Sequence, residues 1–105
     1  MKSIVVGIDF LTESLAALKL AVIIAVKANS KIELVFVNKP DKSKPIFKTP
    51  VAKRQEEVEK RFEEIILKYA DKLAAEHFSY RYIEGKNIVS AINNEAINFG
   101  ADLIV

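Results

Sequence analysis

The sequence predicts an α/β domain: an open parallel sheet with flanking helices. Short apolar runs rich in β-branched residues alternate with longer stretches of helical periodicity. The resulting order is βαβαβαβ, and strands separated by helices form parallel sheets through right-handed crossovers. Half of the 105 residues are hydrophobic, which is enough for the core of one domain.

The first strand is predicted at residues 4–8, because a continuous apolar run suits a strand that is buried on both faces. We expect Thr12 to cap a helix that runs to about Ala28. Its inner face at helical spacing is Leu15, Leu18, Val22 and Ala25 or Val26. Other aliphatic residues lie off that face, so the helix is apolar almost all round and calls for an outer cover. They are Ala16, Leu20, Ile23 and Ile24.

The second strand is predicted at residues 32–37, followed by a lysine-rich loop at 38–49 that contains two prolines. A solvated loop is the simpler interpretation of these lysines, although a phosphate or an acidic partner could dock there. Thr49 is expected to cap the next helix, at about 51–75, with Pro50 at its first position. Its apolar stripe is Val58, Phe62, Ile65, Ile66, Tyr69 and Leu73.

Residues 78–83 alternate between aromatic or apolar and polar side chains, which predicts a half-exposed strand at the edge of the sheet. Asn87 is expected to cap a third helix, which ends at Gly100. The apolar face of this helix is Ile88, Ala91, Ile92, Ala96 and Phe99. A fourth strand then begins within residues 101–105.

Composition and charge exclude several classes of protein. With a net charge of +2, the chain is not expected to have the concentrated basic face that a nucleic-acid binder needs. Without cysteine there are no disulfides and no thiolate metal sites. The first three residues lead directly into a strand pattern without a signal peptide, and the apolar stretch 15–26 is too short to span a bilayer. We therefore expect a cytoplasmic protein that binds neither nucleic acid nor membrane.

The predicted fourth strand is the last feature of the sequence. We expect the chain to be the N-terminal part of a longer domain, incomplete at its C-terminus; the alternative is a small four-stranded domain whose last strand is shielded by a partner. The open edge of this strand and the apolar surface of the first helix predict a homo-oligomer, with a dimer paired along that edge.

The residues themselves suggest one ligand position. Asp9 ends a central strand on the side where open α/β sheets bind their ligands, although aspartate also suits a turn or helix cap. Gly7 could allow a ligand to approach the backbone, or could simply permit close packing. The three glycines lie too far apart to form a phosphate loop. His77 has no clustered partners, and the glutamates of the second helix indicate a solvated face, so we predict no metal site and no catalytic residues.

Residues 4–10, followed by 13–18, resemble the opening of the universal stress protein family: an apolar strand that ends in aspartate, a serine-containing turn and an Ala-Leu pair. Residues 101–105 resemble the strand that precedes the family's glycine-rich phosphate loop. The resemblance covers residues 1–105 in order and spacing. It implies a Rossmann-like, adenine-nucleotide alpha-hydrolase-like sheet with the strand order 3-2-1-4-5. We expect this chain to contain the first four of these strands and to be truncated before the fifth.

The resemblance also implies a regulatory or nucleotide-sensing module that is not an enzyme. In ATP-binding members, the aspartate that closes the first strand and a backbone group at the end of the second hold the adenosine. These positions match Asp9 and Val37, which with Gly7 are the predicted cofactor-binding residues. The family's glycine-rich phosphate loop would follow residue 105 and is not among these residues, and Leu11 stands where the family often has serine. We therefore expect weak or absent ATP binding by this chain, and ATP or another adenine nucleotide as ligand of the full-length protein.

Two other classes of function stay open. An adenine-nucleotide hydrolase-like enzyme would need a phosphate loop after the first strand, but residues 9–12 contain no glycine. A receiver-type signalling domain would need acidic residues grouped after the first and third strands, where Asp9 stands alone and Glu84 is a poor phosphoacceptor. ATPase activity of the full-length protein and phosphotransfer from acetyl phosphate would separate these classes.

Overall fold

The computed structural model describes residues 3–38 and 51–105, with side chains from residue 54 onward in the second stretch. Four strands and three α-helices alternate within these two stretches. They are β1 (Ser3–Gly7), α1 (Thr12–Ala28), β2 (Lys31–Asn38), α2 (Val51–Tyr69), β3 (Phe78–Glu84), α3 (Ile88–Phe99) and β4 (Leu103–Ile104), with a short 3-10 helix at Ala75–His77. The predicted loop at 38–49 and the Thr49 cap fall on residues 39–50, which lie outside the described residues.

The strands form one parallel sheet in the order β3-β2-β1-β4. The chain moves outward from β1 through β2 to β3, and α3 then carries it back to the other side of β1. The strand order therefore reverses between β1 and β4, which is where open α/β sheets bind their ligands. The predicted α/β fold and the edge position of β3 are confirmed.

The two faces of the sheet are covered by different helices. α1 and α2 pack on one face around a large cluster that includes Ile4, Leu18, Leu34 and Phe62, all at most 1% exposed. On the opposite face, α3 covers a smaller cluster around Val5, Val35 and Ala96. Alternate residues of β1 thus point into different cores, which explains why the sequence of this strand is apolar throughout.

The ends of two helices differ from their predictions. α2 ends at Tyr69 instead of Ala75, because the chain tightens there into three-residue turns: the Ala70 N–H donates to the Leu67 carbonyl and the Lys72 N–H to the Tyr69 carbonyl. These turns direct Leu73 into the core, where it is buried. Thr12 is not the cap of α1: Leu11 occupies the cap position with extended backbone and no side-chain cap bond.

The start of α3 is capped as predicted. The Asn87 side chain accepts a hydrogen bond from the Ser90 backbone N–H, at 3.0 Å. Gly100 ends the helix with φ of 74°, a left-handed conformation that glycine adopts without a Cβ clash.

α1 carries an uncovered apolar stripe. Leu18, Ala21, Val22 and Ala25 form its buried face, so Ala21 takes the place that the prediction gave to Leu15 and Val26. Leu15, Leu20, Ile23 and Val26 are 38 to 54% exposed. Among the described residues, no helix combines the length and the apolar character needed to cross a membrane.

Candidate functional site

The carboxyl ends of β1, β2 and β4 meet at one edge of the sheet. The Ile8 N–H donates to the Val35 carbonyl at 2.8 Å, which fixes the end of β1 beside β2. On the other side, the Gly7 N–H donates to the Val105 carbonyl at 3.3 Å. The backbone that leaves β1 at Asp9 therefore starts between two neighbours, at the point where the strand order reverses.

Asp9 is exposed and held in a defined orientation at this edge. Its Oδ1 atom accepts hydrogen bonds from the Leu11 N–H at 2.9 Å and from the Ser14 hydroxyl at 2.5 Å. The Ser14 bond, followed by the Leu11 bond, lowers the pKa of Asp9 below its usual 3.8. At neutral pH the side chain is therefore a fixed carboxylate that can accept further hydrogen bonds but cannot donate one.

The same bonds explain how α1 begins without a cap from Thr12. Asp9 forms a turn with the Leu11 backbone, and Ser14 joins it from the first turn of the helix. Both interpretations of Asp9 thus have a structural basis: it organises the start of α1 and it presents a carboxylate at the ligand edge.

Gly7 is a packing position. A Cβ built on Gly7 would lie 2.8 Å from Ile92 Cδ1 of α3, which is too close for two non-bonded carbon atoms. The missing side chain therefore allows α3 to lie close against the end of β1.

Val37 lies near the carboxyl end of β2, at the same edge as Asp9, where it still pairs with Ile83 of β3. Val35 pairs with Gly7 in the register of β1 and β2, and Val37 and Asp9 each follow two residues later. The Val37 side chain is half-buried and packs in the α3-side cluster with Ile83 and Ile92. The predicted contact of Val37 with a ligand uses only its backbone. No contact with a ligand tests the assignment of Gly7, Asp9 and Val37, so it stays a prediction.

An aromatic row beside Asp9 was missed by sequence reasoning. Phe10 has a φ of 63°, a left-handed conformation that is rare for a residue with a side chain. Its ring stacks on Phe36 at 5.7 Å between centroids and meets Phe62 at 5.4 Å. The Arg61 guanidinium lies 4.1 Å from the centre of the Phe10 ring, which is cation–π distance.

No local sequence signal reveals this arrangement, because the row joins residues from β2, α2 and the loop after β1. It fixes the backbone that follows Asp9, and it borders a cavity of about 230 Å³ that Leu15, Arg61 and Lys68 help to line.

A larger cavity, of about 380 Å³, lies at the end of β3 and the start of α3, and none of the three predicted ligand residues lines it. Polar side chains dominate its lining, among them Arg81, Asn87, Asn94 and Glu95. Within residues 3–38 and 51–105, no three histidine, cysteine or acidic side chains cluster as metal ligands would. His77 instead places its Nδ1 atom 3.1 Å from the Ser30 carbonyl.

Comparisons with known proteins agree with this geometry. The family model described as "Universal stress protein family" matches residues 1–105. A solved structure of a universal stress protein family member from Burkholderia pseudomallei aligns with a TM-score of 0.79 at 20% identity, covering 98% of this chain and 78% of that one. At this identity the likeness shows the fold alone.

A second solved structure is that of a universal stress protein in complex with cAMP. It aligns with a TM-score of 0.62 at 25% identity, covering 98% of this chain and 69% of that one. A search of the curated proteins gave no match.

Proposed function

We propose, because this chain belongs to the universal stress protein family, that it is a cytoplasmic regulatory module that binds an adenine nucleotide and does not catalyse a reaction. The proposed ligand position is the carboxyl edge of the sheet, around Asp9 and the backbone of Val37. The cAMP complex of a 25% identical relative supports an adenine nucleotide as the class of ligand.

The observation that carries the proposal is the fixed carboxylate of Asp9 at the end of the central strand. One oxygen, Oδ1, is occupied by Leu11 and Ser14, while Oδ2 has no hydrogen bond within residues 3–38 and 51–105. A ribose hydroxyl or an adenine amino group would donate to this oxygen. Because the carboxylate is already oriented, binding would cost little side-chain ordering.

The described part of this edge favours the adenosine end of the ligand over its phosphates. Residues 3–10, 35–38 and 101–105 contain no lysine and no arginine, and Arg61, which lies beside Phe10, is stacked on that ring. Phosphates are normally gripped by such cations or by exposed helix N–H groups. We therefore expect AMP, cAMP and ATP to bind this 105-residue chain weakly and with similar affinity.

Two features of Asp9 support a binding role over a catalytic one. A general base works best with a pKa close to the operating pH, whereas hydrogen bonds move the pKa of Asp9 further below its usual 3.8. The same two bonds keep the Oδ1 atom from reaching a substrate proton.

The test is calorimetric titration of the chain with AMP, cAMP and ATP. Asp9→Ala should weaken binding about tenfold, the value of one hydrogen bond to a charged group. Asp71→Asn, at an exposed aspartate after α2, is the matched control and should bind like the parent chain. Equal binding by Asp9→Ala, or ATP hydrolysis by the parent chain that Asp9→Ala abolishes, would refute the proposal.

We also propose that the chain pairs with a second copy along β4. Among the described strands β4 pairs only with β1, and an edge strand can pair with the same strand of a second copy. Sedimentation should give a dimer, and Leu20→Lys, on the exposed stripe of α1, should leave it intact. A monomer at high concentration would contradict this proposal.

A further inference from the structure

Two buried glutamates face each other between the sheet and α3. Glu33 lies in the middle of β2, between the fully buried Ile32 and Leu34, and is itself only 6% exposed. Glu95 on α3 is also 6% exposed, and it is the acidic neighbour of the Glu33 carboxyl group. Two carboxyl groups that lie close together and away from water share a hydrogen bond when one of them keeps its proton.

The surroundings provide little to balance a second negative charge. Arg81 of β3 places its Nε atom 3.4 Å from Glu95 Oε1, but the arginine side chain is 63% exposed. The Oε1 atom of Glu33 is buried and has no hydrogen-bond partner among the described residues.

The neighbouring elements bring one acid and one base to Glu33. β3 presents Arg81 and the uncharged Ser79, α3 presents Glu95, and β1 presents the apolar Val5 at the position paired with Glu33. A partly solvated guanidinium compensates poorly for two carboxylates that have lost their water. Burial, then the bond to Glu95 and its charge, raises the pKa of Glu33 to about 8, against a smaller lowering effect of Arg81.

We propose that one proton held between Glu33 and Glu95 secures α3 to the sheet, and that losing this proton loosens the helix as a pH-sensitive switch. Without the proton, two adjacent buried carboxylates repel each other across the interface between β2 and α3. The proposal does not depend on nucleotide binding.

The position of Ile92 connects this pair with the end of β1. Ile92 lies three residues before Glu95, on the same side of α3, and packs against Gly7 at the carboxyl edge. A movement of α3 at Glu95 therefore reaches the backbone from which Asp9 departs.

The sign of the pH effect follows from the direction of the shift. The pKa of Glu33 in the folded chain lies above its ordinary value of 4.5, so the folded state holds the proton more tightly than the unfolded state. The stabilising contribution is complete below that ordinary value and is lost as the pH rises to about 8.

Urea unfolding of the chain at pH values from about 6 to 9 tests the switch. The urea midpoint of the parent chain should shift downward across this range. Glu33→Gln, which carries no charge at any of these pH values, should lose that shift. Glu57→Gln, at an exposed glutamate of α2, is the matched control and should keep the parent shift. Other groups that titrate in this range are shared by all three proteins, so the differences report on Glu33.

Glu95→Gln tests whether the proton belongs to the pair. The neutral amide removes the repulsion between the two carboxylates but leaves Glu33 buried. The pKa of Glu33 should therefore fall, and the drop in the urea midpoint should occur at lower pH than in the parent chain. A parent chain with a flat profile, or a Glu33→Gln variant that keeps the parent slope, would overturn the proposal.

Carbon NMR of the parent chain provides a test that needs no variant to fold. The Glu33 carboxyl signal should titrate with a midpoint near 8, and the Ile92 methyl signals should shift with the same midpoint. A Glu33 midpoint near its ordinary 4.5, or Ile92 methyl signals that do not change between pH 6 and 9, would contradict the switch.

Discussion

The Ser14 hydroxyl lies 2.5 Å from the Oδ1 atom of Asp9 and joins the start of α1 to the end of β1. The Asp9 N–H lies 3.2 Å from the Ser14 oxygen, so the two residues bond to each other twice. One aspartate thus organises a strand-to-helix turn and presents a carboxylate at the edge where the strand order reverses. The proposed function rests on this double role.

Ser14→Ala should release the Asp9 carboxylate. The pKa of Asp9 should rise toward its usual 3.8, because the largest cause of its lowering is the Ser14 bond. The bond is exposed, so the loss of stability at neutral pH should be small, about 0.5 kcal/mol. A lowered pKa stabilises the fold above the ordinary value and the effect is lost on acidification, so the variant should lose less stability in acid.

Carboxyl NMR titration measures the first effect of Ser14→Ala, and denaturant unfolding at neutral and acidic pH measures the second. Ser79→Ala, at an exposed serine of β3, is the control and should leave the Asp9 titration unchanged. An Asp9 titration curve that is the same in Ser14→Ala and the parent chain would show that the hydroxyl does not hold the carboxylate.

Gly7→Ala should destabilise the fold by about 1 kcal/mol, the low end of the cost of overpacking, because the atom it meets is the end of a side chain that can rotate. The new Cβ would lie 2.8 Å from Ile92 Cδ1, so α3 or the Ile92 side chain must move. Ile92→Ala removes that atom and should recover part of the loss in the double variant. A double-mutant cycle by denaturant unfolding measures the coupling.

The control for this cycle is Ile97→Ala, on the same helix but 77% exposed, which should not rescue Gly7→Ala. If the changes in unfolding free energy of Gly7→Ala and Ile92→Ala simply add, the contact between the two residues does not determine how closely α3 packs against β1.

Asn87→Ala should destabilise the chain by about 1 kcal/mol, because the Ser90 N–H loses its acceptor at the start of α3. Asn93→Ala, at an exposed position inside the same helix, should be neutral or slightly stabilising, since alanine favours helix interiors. Thermal unfolding of both variants measures the difference. An Asn93→Ala variant as unstable as Asn87→Ala would point away from the cap.

Much of the fold could be predicted from local patterns. The continuous apolar run of β1 indicated a central strand, and the alternation after Phe78 indicated an edge strand. Each signal reflects which faces of a strand are buried, so it can be recognised without knowledge of the partner. Asn87 and Gly100 were identifiable because capping depends on residue type and local backbone.

The end of α2 could not be predicted in this way. Five of the six residues 70–75 are good helix formers (three alanines, a leucine and a lysine, beside Asp71), so composition gave no stop signal after Tyr69. The turns there serve to bury Leu73, which is a tertiary requirement. The prediction of Thr12 as a cap was wrong because the residue pattern does not show the hydrogen bonds of this turn. The Leu11 N–H and the Ser14 hydroxyl donate to Asp9 and organise the start of α1 without Thr12.

The sequence placed Asp9 and Val37 at the right edge but missed the groups brought together from distant elements. Glu33 interrupts an apolar strand, a signal that was available, but its partner Glu95 lies 62 residues away. Phe10 and Arg61 meet through α2. Such pairs depend on how helices cross the sheet, which periodicity alone does not specify.

The most direct test of adenine-nucleotide binding at the carboxyl edge is a titration with AMP followed by amide NMR. Saturable shifts should concentrate at Gly7, Asp9, Leu11 and Asn38, and Asp9→Ala should require about tenfold more AMP to reach the same saturation. Shifts centred instead on the cavity between β3 and α3, or no saturable shifts with AMP, cAMP or ATP, would contradict the account.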